Sequence, residues 1–131
     1  MNLPTILSIT PIYAAVLGLF FVPITLRVGL YRVNNKIDLG DGGDKKLLRI
    51  MRAQANFIET VPLLVILLVL MELAGASSTW LHTVGGLLVG GRFLHYIGLS
   101  GMGPFVGRPI GIFATLISYL AASGWLLYHF L

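Results

Sequence analysis

From Thr60 to Met71 the chain reads Thr-Val-Pro-Leu-Leu-Val-Ile-Leu-Leu-Val-Leu-Met, with no charge at all. The residues just before it, Arg52-Ala-Gln-Ala-Asn56-Phe-Ile-Glu59, are of another kind. Arginine, asparagine and glutamate stand at i, i+4 and i+7, so a helix brings all three to one face. That helix then continues as hydrocarbon. Polar groups at the edge of a bilayer core are costly and face a cavity or a partner. The pattern therefore demands a membrane helix with a polar site near one surface.

Composition agrees. Of 131 residues, 56% are hydrophobic and 11% charged, and mean hydropathy is +0.89. A soluble domain carries about twice that charge. Cysteine is absent, which excludes disulfides and thiolate metal ligands. Any thiol chemistry must use a thiol brought by a substrate. His82, His129 and Glu72 have no metal-site spacing, and no metal is expected. The N-terminus lacks the basic region of a secretory signal, so the first apolar stretch is expected to be retained.

Four spans are expected, over residues 3–30, 45–74, 78–100 and 109–131, in a single all-α domain. The first contains Pro11 and Pro23, with a bend expected at Pro23. A loop with Gly40-Asp41-Gly42-Gly43-Asp44 follows, and Asp41 or Asp44 is placed to cap the second helix. Glu72, at that helix's far end, is expected to face water or the outer interface. Trp80 and the Trp125/Tyr128 pair suit interfacial anchoring. Gly85, Gly86, Gly90 and Gly91 permit close helix contact in the third span.

Every Lys and Arg lies between Arg27 and Arg108, in or beside the first and third loops. The positive-inside rule puts those loops in the cytoplasm and both termini outside. The basic residues are thus flanks of spans, not a nucleic-acid surface.

Arg52, Asn56 and Glu59, together with Arg92 and His95 on one face of the third span, fall at the same membrane surface. Three roles are open to them: binding an anionic small molecule, moving protons, or bracing the bundle. Lipid-headgroup snorkelling is the plain reading of Arg92. Glu59 could be the carboxylate of a small proton-coupled efflux transporter. A membrane scaffold without catalysis is the third class.

At these residues the chain resembles the MAPEG family, membrane-associated proteins in eicosanoid and glutathione metabolism. The resemblance covers essentially the whole chain. It rests on Arg-x-x-x-Asn-x-x-Glu followed by Pro62, and on Gly91-Arg-x-x-His95; Tyr31-Arg32-Val33 and Gly40-Asp41-Gly42-Gly43 resemble its short bacterial branch. It implies a homotrimer in the bacterial inner membrane, binding glutathione between protomers in a cleft open to the cytoplasm. Arg52, Asn56, Glu59, Arg92 and His95 would line or brace that cleft, with Arg27 a weaker match. It also implies glutathione transfer to, or reduction of, lipophilic electrophiles. One departure stands out. Where several eukaryotic members carry a thiol-activating arginine near the start of the fourth span, this chain aligns Gly111, followed by Ile112 and Thr115. Arg108 is the nearest substitute, and the catalytic residue is unassigned.

Overall fold

The computed structural model describes residues 6–131. Its elements are four helices: α1 (Thr10–Asn35), α2 (Lys45–Leu73), α3 (Ser78–Ser100) and α4 (Gly107–Phe130). They follow the expected spans 2–4 within two residues. Residues 3–5 of the expected first span lie outside the described residues, and α1 begins at Thr10 with Pro11 in its opening turn. Proline's missing N–H and fixed φ suit a helix start. Pro23 lies within α1; Pro62 is accommodated in the same way in α2.

Three of the helices, α1, α2 and α4, are long and apolar enough to cross a membrane on their own composition. The fourth, α3, is instead the most enclosed: ten of its 23 residues are buried, against four of 26 in α1. Protein rather than lipid surrounds much of α3, so its polar groups are tolerated. The core is built from Leu64, Leu68 and Met71 of α2 against Leu81, Val84 and Leu88 of α3, with Leu17 and Ile24 of α1 closing it. Phe20 packs at ring-centroid distances of 5.6 Å against Phe57, Phe93 and Tyr96, joining α1, α2 and α3. The outward faces carry Leu19, Val22, Leu63, Ile66, Phe113 and Leu120, all exposed. A bundle with an apolar exterior of this extent is an integral membrane protein.

The expected small-residue contacts are partly relocated. A Cβ added at Gly86 or Gly90 would meet nothing within 4 Å. Gly85 seats the Tyr13 ring, and Gly91 meets α4, where an added Cβ would lie 3.0 Å from Ala114 Cβ. The main seam is α3 on α4, held by Gly91 and Gly98 facing Gly107 and Gly111.

Glu72 does not simply face water. Its Oε1 accepts from the backbone N–H of Ser8 (2.6 Å) and Ile9 (2.8 Å), and its Oε2 from that of Thr10 (2.7 Å). Ile9, the residue before α1, has no capping side chain. The end of α2 therefore caps α1 from outside, satisfying N–H groups that a helix start leaves orphaned.

At the opposite end Asp44 caps α2, its Oδ1 accepting from Lys46 N (2.9 Å) and Leu47 N (3.0 Å). Tyr31 donates to its Oδ2 at 2.7 Å. Arg32 ties the loop down by donating to the Gly40 carbonyl at 2.7 Å. The Tyr31 hydroxyl foremost, then the Leu47 and Lys46 amides, hold the Asp44 carboxyl below its usual pKa. A depressed carboxylate stabilises the fold fully above the ordinary carboxylate range and loses that contribution as pH falls through its lowered pKa. Amide-exchange protection at Lys46 and Leu47 should accordingly fall in acid. In Asp44→Asn, which caps without titrating, protection should be flat over the same range.

Candidate functional site

The helix α2 presents Arg52, Asn56 and Glu59 on one face, as their spacing requires. Their partners divide them. Arg52 Nη1 and Glu59 Oε1 are 3.9 Å apart, with side chains 55% and 57% exposed. Asn56, between them, turns its Oδ1 inward to accept from Arg92 Nη1. Thr60 donates back to the Asn56 carbonyl at 2.7 Å.

Arg92 is 2% exposed, which overturns headgroup snorkelling. The Gly91–Gly111 approach draws α4 close enough for Arg92 Nε to donate to Thr115 Oγ1 at 2.9 Å. Thr115 Oγ1 in turn donates a hydrogen bond to the Gly111 carbonyl at 2.9 Å. The guanidinium thus links α2, α3 and α4 through neutral acceptors, with no carboxylate in ion-pair range among the described residues. A buried cation needs hydrogen bonds of this kind to be tolerated. His95, one turn on, is also 2% exposed, packed beside Gly111.

Arg27 lies apart from that cluster. Its Nη1 reaches the Tyr96 hydroxyl at 3.4 Å. Both line an apolar recess of ≈ 370 Å³ with Phe20, Pro23, Phe93 and Ile97. Arg108 is exposed in the first turn of α4.

The six candidate residues therefore form three neighbouring groups within one chain. Arg52 and Glu59 pair on the outside. Asn56, Arg92 and His95 lie inside. Arg27 joins Tyr96 at the recess. Thr115 and Tyr96 are the partners that the motifs alone did not single out in these roles. Their signal was a hydroxyl on the inner face of α4 opposite Gly91-Arg92, and an aromatic next to His95.

The structure also bears on Gly111. A Cβ there would collide with the Gly91 carbonyl and with His95 N and Cβ. Position 111 points into α3, so no long side chain at this position could reach a cleft.

The chain is 30% identical over 120 residues, 89% of its own length and 91% of the relative's, to a protein of Escherichia coli strain K12 named Inner membrane protein YecN. The protein of the same name from Escherichia coli O6:H1 matches equally. No solved structure matches significantly. The model of the MAPEG family matches residues 10–128, from the first turn of α1 to the last turn of α4. With the match running through all four helices, and with the α2 face and the α3 arginine inside it, the chain belongs to the MAPEG family.

Proposed function

We propose that this integral inner-membrane protein binds glutathione, or a closely related anionic thiol, between protomers of a homotrimer. The observation that carries the reading is the exposed Arg52–Glu59 pair on the outer face of α2. Glu59 stands about 21 Å along α2 from Lys45 at 1.5 Å per residue, at the entrance to the apolar run. Facing lipid there, an ion pair is unfavourable. A second copy closing a polar cleft over it removes the cost. Inside such a cleft the Arg52 guanidinium suits a carboxylate, and the Glu59 carboxylate suits an ammonium group. That set complements a zwitterionic peptide.

By the charge rule the cleft opens to the cytoplasm, with both termini outside. The apolar recess beside Arg27 and Tyr96 suits a lipophilic electrophile dissolved in the bilayer. The chemistry would be attack of the thiolate on that electrophile, with nearby cations favouring the thiolate over the thiol. Of Arg27, Arg92 and Arg108, Arg92 is committed to Asn56 and Thr115, which leaves Arg27 and Arg108. Glu59 lies outside the bundle, paired with Arg52, and lends the proton-transporter reading no support.

Titration calorimetry of detergent-solubilised protein with reduced glutathione should show saturable binding. Glu59→Gln should weaken it by roughly tenfold or more, since a hydrogen bond to a charged group contributes about 1.5–3 kcal/mol. Native mass spectrometry should show that variant still trimeric. Absence of heat in the wild type would sink the glutathione reading. Dissociation of the variant would instead assign Glu59 to assembly.

A further inference from the structure

Four of the nine Lys and Arg residues converge on a second recess that the glutathione reading leaves unused apart from Arg27. Arg27, Lys45, Lys46 and Arg49 line a cavity of ≈ 470 Å³ between the end of α1, the start of α2 and the end of α3, with Ser100 and Gly101 in its wall. No carboxylate comes within ion-pair distance of any of these cations among the described residues. Asp44, the acid nearest in sequence, is occupied by the Tyr31 hydroxyl and two backbone amides. Lys46 has only the Tyr31 ring, 5.5 Å from its Nζ.

Ser100 is the independent sign that something binds here. It is 3% exposed. Its hydroxyl is the one buried side-chain polar atom among the described residues without a hydrogen-bond partner. Buried hydroxyls are almost always paired, and an orphan points to a missing partner. Ser100 ends α3. Gly101 follows at φ +83°, so the chain turns sharply there. A Cβ on Gly101 would sit 3.9 Å from Arg49 Nη1, so the guanidinium lies against this turn, next to the serine.

We propose that this recess binds a phosphate-bearing anion, its oxygens accepting hydrogen bonds from the Ser100 hydroxyl and from Lys45, Lys46 and Arg49. Several cations around one hydroxyl suit an oxyanion with multiple acceptors and more than one charge-assisted bond. A basic pocket between helices at the basic end of a membrane bundle is placed to take the phosphate of an anionic lipid headgroup. A water-soluble phosphate monoester offers the same chemistry. The inference does not rest on glutathione binding, because Lys45, Lys46, Arg49 and Ser100 are outside that reading.

Two ligands separate the sources. Delipidated protein in neutral detergent is tested with phosphatidylglycerol against phosphatidylcholine by native mass spectrometry, and with glycerol phosphate by titration calorimetry. Preferential retention of phosphatidylglycerol alone identifies the headgroup; binding of glycerol phosphate identifies a soluble ligand. In either case Ser100→Ala should weaken binding about tenfold, the effect of one hydrogen bond to a charged group. The Lys45→Gln/Arg49→Gln variant should weaken it further, and both variants should melt like the wild type. The proposal is overturned if neither ligand is preferred over phosphatidylcholine. It is equally overturned if Ser100→Ala binds as the wild type does, since bulk attraction to a basic surface would not sense that hydroxyl.

Discussion

Gly111→Arg should destroy the bundle rather than create a more active enzyme. The family resemblance implies the opposite, because this substitution introduces an arginine where several eukaryotic members would carry one. The geometry decides. A Cβ at 111 already overlaps the Gly91 carbonyl and the His95 backbone nitrogen. Backbone atoms of a packed helix cannot rotate away as a side-chain tip can. The α3–α4 seam would have to open, and Gly91, Gly98 and Gly107 share that seam. Opening it also separates Arg92 from Thr115, leaving a buried guanidinium short of an acceptor. Overpacking alone costs about 1–3 kcal/mol, and breaking a buried charge's hydrogen bond adds about 1–3 more. Loss of the folded protein in size-exclusion chromatography is the expected result. Gly111→Ala meets the same backbone collision at its Cβ and should be destabilised in the same direction, by less because nothing extends beyond that Cβ. A Gly111→Arg protein that folds and conjugates glutathione to an aryl halide faster than wild type would show that the seam lies elsewhere.

Glu72→Ala should also destabilise the protein, at the other end of the molecule. The carboxylate serves three successive backbone N–H groups at the start of α1, plus the Ser8 hydroxyl at 3.3 Å. Ile9, at the cap position, makes no side-chain hydrogen bond to this helix start. Losing a charged acceptor of several backbone donors should cost about 1–3 kcal/mol, near the top of the range for a helix N-cap, because the Ser8 donor is exposed and the others are part-buried. Glu72→Gln gives a graded check. Ser8 and Ile9 share Oε1, and Thr10 uses Oε2. An amide keeps one acceptor oxygen, so its cost should fall between wild type and alanine. Thermal melting, with amide exchange at Ser8, Ile9 and Thr10, measures both. Equal melting of glutamate and alanine forms would remove Glu72 from the list of structural residues.

Both positions show where sequence reasoning stopped. Glu72 looked solvent-exposed because its acceptors' partners are more than sixty residues away and are backbone groups, which leave no trace in side-chain patterns. Gly111 looked like a lost catalytic residue because alignment reports identity and not direction. Among four plausible contact glycines in α3, only Gly85 and Gly91 meet anything; the crossing point of two helices selects among residues that composition treats as equal. Arg92 is the clearest case. Snorkelling and burial begin from the same sequence position, and the choice was made by Thr115 and Asn56 arriving from two other helices.

What the sequence determined by itself is the set of properties a bilayer imposes on any chain within it. Four helices, their approximate ends, the apolar exterior and the polar α2 face follow from hydropathy, charge placement and the period of 3.6 residues, because lipid leaves the backbone no alternative to internal hydrogen bonds. The loop's turn and the Asp44 cap are equally local. Tertiary structure alone decided how the polar face was divided: Arg52 and Glu59 outward, Asn56 inward to Arg92, and Ser100 buried beside four cations with its hydroxyl unpartnered. Those outcomes depend on the rotation of each helix about its axis and on the α3–α4 separation. Neither is encoded within a single helix, since both are set by which side chains must interlock when all four are packed.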